Sequence, residues 1–329
     1  MLRTETATSH EMRTKALAGL AAYQAAPRPT GDALPPATIR RGRAMLRDYG
    51  GAGRPVVFVP SLINPPTILD LDAETSLLRW LSARGHRCLL VDWGEPDRGD
   101  AAQDLSGHVT ELLVPMLREL DVAPVLVGYC LGGTLAMAAA AAMVAPRALG
   151  LIAAPWRFRG YGEAARAEMG KLWADARPAC EALGLLPMEV LQSGFWRLDP
   201  ARTIQKYIAF ADMAPDSAAA RRFVTLEDWA NAGAPLTLGA GRQLFEAMVA
   251  RDQPGLGRWW TGGRRVVPRA LECPVVQFVS ARDRIVPAVT AARLPDTRIL
   301  GAGHVGMIMG SGARTQLWEP LDQWLSALD

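Results

Sequence analysis

Residues 122–146 carry no charged side chain. A run of that length is enough to cross a bilayer, so its punctuation decides what the rest of the chain can become. Pro124, Gly128, Gly132 and Gly133 interrupt it. Pro124-Val125-Leu126-Val127-Gly128 has the pattern of a short buried strand, and the alanine-rich stretch 134–144 that of a buried helix. A strand, a glycine-flanked turn and a helix account for the whole run, and no transmembrane segment is needed.

The same alternation recurs along the chain. Residues 55–60 (PVVFVP) suit a buried parallel strand. Residues 74–84 follow as an amphipathic helix with Leu77, Leu78 and Leu81 on one side, then 87–92 as a strand and 109–120 as a helix despite Pro115. Further strands are expected at 149–153, 275–280 and 297–300, with a final helix near 315–328. Strands alternating with helices predict an α/β fold on a mostly parallel, doubly wound sheet.

Between residues 154 and 269 the rhythm changes to long helical segments. Six of the ten tryptophans fall there: Trp156, Trp173, Trp196, Trp229, Trp259 and Trp260. The division expected is an N-terminal helical arm (1–43), a core (44–154 and 270–329), and a helical cap (155–269) inserted after the sixth strand. The cap would return at Cys273-Pro274 and sit over the carboxyl ends of the strands, where ligands bind in open α/β sheets. Each tryptophan alone reads as second-core filling; as a group they suggest an apolar substrate channel.

Gly128-Tyr129-Cys130-Leu131-Gly132-Gly133 follows a strand and opens a helix, the setting of a G-x-S-x-G nucleophile elbow with cysteine in place of serine. The glycines allow backbone and helix to approach closely. The helix N-terminus favours thiolate over thiol at Cys130. The Leu131 N–H would face the developing oxyanion, joined by the Leu62 N–H from the loop Pro60-Ser61-Leu62-Ile63. Cys88, Cys180 and Cys273 lack any such setting and read as structural.

A cysteine nucleophile needs a base, and there are four histidines. His10 lies in the N-terminal arm, His86 opens a strand at its amino end, and His108 falls on an expected surface helix. His304, in Gly301-Ala302-Gly303-His304, directly follows the last strand. Asp283 stands after the preceding strand, which completes the order nucleophile, acid, histidine. Cys130, Asp283 and His304 are therefore the expected catalytic residues, on an α/β-hydrolase fold. A cysteine attacking a thioester yields another thioester, so the acyl group stays activated for a weak hydroxyl acceptor. This favours acyl transfer over hydrolysis.

Composition excludes several other classes. With 36 basic against 33 acidic residues and no basic patch, nucleic acid is not an expected partner. Four cysteines without a C-x-x-C pair argue against a disulfide framework or a metal site. Arg3, Glu5, Glu11, Arg13 and Lys15 break any apolar signal core, and a cytoplasmic location is expected.

These residues resemble the polyhydroxyalkanoate synthases. The similar segments are Gly-Tyr-Cys-Leu-Gly-Gly-Thr-Leu at 128–135, Ile68-Leu69-Asp70-Leu71, Ser76-Leu77-Leu78-Arg79-Trp80, and Gly85-His86 leading to Val91-Asp92-Trp93-Gly94. Gly262-Gly263-Arg264-Arg265-Val266, Asp283-Arg284-Ile285-Val286-Pro287 and Gly303-His304-Val305-Gly306 continue the likeness to the C-terminus. The resemblance implies polymerisation of (R)-3-hydroxyacyl-CoA, with Cys130 carrying the chain and His304 activating it. Asp283 would orient His304 or activate the substrate hydroxyl. Trp156, Trp229 and Ile63 are the expected substrate-binding residues. No separate cofactor is expected, coenzyme A entering as part of the substrate. The partners implied are the hydroxyacyl-CoA thioester, the polyester chain, and a second copy of this chain or a second synthase subunit, at a granule surface. The rival readings are a cysteine hydrolase of the same fold (a thioesterase or polyester depolymerase) and a granule-binding protein without turnover.

Overall fold

In the strand Ala52–Val59, Val56 and Phe58 enter one hydrophobic core while Val57 and Val59 enter another. Side chains alternate across a strand, so an unbroken apolar run must be covered on both faces. This is the geometry of the computed structural model, which describes residues 2–28, 34–143 and 145–328. The strands are β1 (Ala37–Arg41), β2 (Ala44–Asp48), β3 (Ala52–Val59), β4 (His86–Asp92), β5 (Val125–Tyr129), β6 (Ala148–Ile152), β7 (Val275–Ser280) and β8 (Asp296–Leu300). They form one sheet in the order β1-β2-β4-β3-β5-β6-β7-β8. From β4 to β8 every neighbouring pair is parallel; β2 runs antiparallel to both β1 and β4. The α/β sheet expected from the sequence is the one observed.

The helices are α1 (His10–Ala25), α2 (Leu77–Ala83), α3 (Leu131–Ala142), α4 (Glu163–Leu183), α5 (Met188–Leu198), α6 (Pro200–Ala211), α7 (Ala218–Asn231) and α8 (Glu319–Ser326). Helix α3 covers one sheet face, and α2 and α8 cover the other. Helices α4 to α7 belong to the insertion after β6.

Several elements differ from the sequence reading. Residues 37–41, assigned to a helical arm, pair with β2 through the two-residue turn Gly42-Arg43. The edge strand has no fully buried position and hence no apolar run to betray it. The helix expected at 74–84 begins later, because Ser76 accepts from Arg79 N at 3.0 Å and caps it. The helix expected at 109–120 spans 105–118, capped by Asp104, which accepts from Gly107 N at 2.7 Å. It tolerates Pro115 through a wider π turn over His108–Leu113, in which Val114 N reaches back to Val109 O.

His108 is not on the surface. It is 2% exposed, its Nδ1 donates to the Asp104 carbonyl at 2.7 Å, and its Nε2 accepts from Arg43 Nη2 at 2.8 Å. A guanidinium can only donate, so the ring must be neutral here. Burial pushes its pKa down to about 4.

Two stability measurements follow. His108 is neutral in the fold, whereas in the unfolded chain it takes up a proton near pH 6.5. Its contribution is therefore complete above pH 6.5 and shrinks as pH falls toward 4. Chemical denaturation across that window should show the loss, and His108→Gln should blunt it. At the elbow, a Cβ on Gly132 would lie 2.1 Å from Val59 O, whereas one on Gly170 in α4 meets nothing within 4 Å. Gly132→Ala should lose roughly 3 kcal/mol or more. Gly170→Ala should be neutral or gain up to about 1 kcal/mol.

Candidate active site

Strand β5 delivers Cys130 into a backbone conformation that side chains seldom adopt, φ 56° and ψ −132°. Such a residue costs on the order of 1–3 kcal/mol and persists only where its surroundings hold it. Cys130 N donates to Ile152 O, and Gly133 N donates to Cys130 O, both at 2.9 Å. Packing does the rest. A Cβ on Gly128 would lie 2.4 Å from Gly133 Cα, and one on Gly133 would lie 2.4 Å from Ala154 Cβ. The strand end and the first turn of α3 touch backbone to backbone, leaving Cys130 at the helix N-terminus.

The carboxyl ends of β7 and β8 bring the other two residues together. His304 Nδ1 donates to Asp283 Oδ2 at 2.6 Å. Asp283 Oδ1 accepts from Ile285 N and Val286 N, each at 2.8 Å, and its side chain has no solvent exposure. Both carboxylate oxygens are thus engaged within the fold, and Oδ2 fixes the place of the His304 ring. With Nδ1 committed, Nε2 is the nitrogen available toward Cys130. Burial alone would lower the His304 pKa. The negative charge of Cys130, together with the bond and charge of Asp283, outweighs it and raises the value to about 10.

Tyr129, which the sequence reading passed over, supports this histidine. Its ring stacks on His304 with centroids 5.0 Å apart, and its hydroxyl donates to His304 O at 3.3 Å. Its place directly before Cys130 was the only sequence signal. Cys88, Cys180 and Cys273 stand apart, each with its thiol pKa pushed up by burial.

Cys130 and His304 open into a cleft of about 200 Å³ lined by Ile63, Phe195, Trp196 and Trp229 among others. Two of the expected substrate residues, Ile63 and Trp229, lie in it. Trp156 does not. It is 4% exposed and packs against Trp259 in the core, ring centroids 5.9 Å apart. Nor do the tryptophans line one channel as a group: Trp173 stacks on Phe245 in the core, Trp260 is exposed, and Trp196 and Trp229 face the cleft. Leu62 is buried on the loop beside the cleft, and Ser61 Oγ accepts from Ile63 N at 3.1 Å. That bond occupies the Ile63 N–H. A larger hollow of about 680 Å³, near Arg242 and Arg251, contains no cysteine, serine or histidine. Among the described residues no cluster of metal-ligating side chains occurs, and no helix is long and apolar enough to cross a membrane.

The model of the alpha/beta hydrolase family matches residues 56–315. The chain belongs to that family. Within it, the chain is similar to the poly(3-hydroxyalkanoate) polymerase subunits PhaC of Haloferax mediterranei and Haloarcula marismortui. The identities are 27% and 28%, over 83% of this chain in each case and over 58% and 60% of theirs. It thus spans less than two thirds of the length of these two relatives. The monoacylglycerol lipase of Paleococcus ferrophilus shares the fold, with a TM-score of 0.53 and 15% identity over 88% of this chain and 100% of that one.

Removing the Asp283 charge should release His304. In an NMR titration the His304 ring is expected to titrate near 10 in the native protein and well below that in Asp283→Asn. If Cys130 is acylated as proposed below, His304→Gln should slow that step by about 10²–10⁴-fold, the usual worth of a positioned acid–base group. Unchanged titration in Asp283→Asn would contradict this coupling.

Proposed function

We propose that the protein is an acyltransferase of the polyhydroxyalkanoate synthase type. It moves (R)-3-hydroxyacyl groups from coenzyme A, through an acyl-cysteine on Cys130, to a growing polyester. The observation that carries this reading is a cysteine on a complete nucleophile elbow, with the buried His304–Asp283 pair joined to it. The similarity to polymerase subunits over most of the chain supports it.

In the first half-reaction the Cys130 thiolate attacks the thioester carbonyl. The oxyanion is met by the N–H groups of Leu62 and Leu131, preorganised donors that cost little reorganisation. The bond to the coenzyme A sulfur breaks, and the leaving thiolate takes a proton from the His304 imidazolium. In the second half-reaction His304, now neutral, accepts the proton of an incoming 3-hydroxyl group. The resulting alkoxide attacks the acyl-cysteine, an ester forms, and the Cys130 thiolate leaves beside the restored imidazolium. Asp283 holds His304 in register throughout and does not meet the hydroxyl itself. Trp196, Trp229 and Ile63 keep water from the acyl-cysteine, which suppresses hydrolysis. On this reading the protein works at a polyester surface, with a second copy of the chain or a second synthase subunit as its partner.

Purified protein given (R)-3-hydroxybutyryl-CoA should release coenzyme A and accumulate enzyme-bound oligomer or insoluble polyester, with free 3-hydroxybutyrate as a minor product. Cys130→Ala should abolish both turnover and covalent labelling, whereas Cys88→Ala, Cys180→Ala and Cys273→Ala retain most activity. Stoichiometric free acid without oligomer, with candidate partner subunits supplied, would identify a hydrolase instead.

A further inference from the structure

Helix α1 supplies no catalytic group and packs chiefly on α6, yet its last turn reaches the end of α7, whose last residues Trp229, Ala230 and Asn231 line the Cys130 cleft. The arm is seated firmly. A Cβ on Gly19 would lie 1.8 Å from Tyr207 O, so α1 packs directly on the backbone of α6. Tyr23 is 9% exposed and shares a small core with Phe210, Ala220 and Val224.

From that core the arm reaches Asp228. Tyr23 Oη donates to Asp228 Oδ1 at 2.6 Å. Arg28 donates through Nε to Oδ2 at 3.1 Å and through Nη2 to Oδ1 at 3.2 Å. The same guanidinium donates to Tyr23 O at 2.8 Å and Ala26 O at 2.6 Å, which locks it to the carbonyl end of α1. Asn231 Nδ2 reaches the Tyr23 hydroxyl at 3.5 Å, and Asn231 Oδ1 accepts from Gln192 Nε2 within the cleft wall. On the core side, Trp229 Nε1 donates to Pro65 O at 2.9 Å, and Asn64 Nδ2 donates to Ala232 O at 3.3 Å.

Residues 228–232 are therefore held between two bodies, the arm on one side and the loop carrying Leu62 on the other. A helix end has unsatisfied carbonyls and frays unless something outside it holds it. Here Asn64 and Gln192 meet the end carbonyls of Ala230 and Ala232, and the arm adds a second hold through the Asp228 side chain. We propose that Tyr23 and Arg28 are positioning residues: by fixing Asp228 they set the place of Trp229 and Asn231 in the cleft wall, and so which acyl groups fit beside Cys130.

The effect on acyl choice rests on the reading that this cleft receives the acyl group, so the first measurement is independent of it. Cys130 is alkylated with iodoacetamide and with a naphthyl-substituted iodoacetamide, and the ratio of the two rates reports the cleft shape. Tyr23→Phe and the more exposed Arg28→Gln should each change that ratio by about threefold or more, in line with losing one hydrogen bond to a charged group. Lys15→Ala is the comparison: the Lys15–Asp212 ion pair at 2.6 Å also joins α1 to the cap, but it touches none of residues 228–232. It should leave the ratio unchanged. In turnover assays, Tyr23→Phe and Arg28→Gln should raise KM and alter the preference between short and longer 3-hydroxyacyl-CoA, with kcat nearly constant. An unchanged ratio in both variants, or an equal change in Lys15→Ala, would overturn the proposal. A native protein that turns over no hydroxyacyl thioester would remove the assigned activity and leave the alkylation comparison standing.

Discussion

The structure turns on a backbone contact. The first turn of α3 presses on the end of β5 at Gly128, on the end of β3 at Gly132 and on Ala154 at Gly133, so none of the three glycines has room for a Cβ. That contact holds Cys130 in its left-handed conformation and spends folding free energy on a single side chain's direction. It also aims the thiol at the N-terminus of a buried helix, where a negative charge is favoured. Without it the sheet could still form, but Cys130 would not be presented at the helix N-terminus.

The electrostatic half of the site comes from elements distant in sequence. Asp283 accepts from two backbone N–H groups and from the His304 ring, which fixes the ring's place. The charge on Cys130 and the Asp283 carboxylate together overcome the burial that would otherwise discharge His304. Tyr129 ties the two halves, following β5 into the elbow while stacking on the histidine that Asp283 holds.

The cap and the N-terminal arm act on shape. Helices α5, α6 and α7 supply Trp196, Lys206 and Trp229 to the cleft, and the arm steadies the end of α7 from outside. Lys206 carries its charge against the buried Glu227 at 2.6 Å, so the cleft offers no free cation there. Its walls are chiefly apolar.

The sequence alone determined the parallel part of the sheet, the elbow, and the placing of Asp283 and His304 after successive strands. These rest on local rules: a two-residue alternation in strands, glycine where backbones touch, and polar residues in the loops that follow successive strands. The edge strand β1 was invisible because no residue in it is fully buried. The burial of His108 was invisible because an imidazole can sit on a surface or between a guanidinium and a carbonyl with the same sequence around it. The cleft was the hardest to read. Trp156 and Trp229 look alike in sequence, yet one packs in the core and the other faces Cys130, since the direction of a cap helix depends on what it packs against. Only the tertiary structure, through packing between distant segments, decided which tryptophans line the Cys130 cleft and that Tyr23 reaches Asp228.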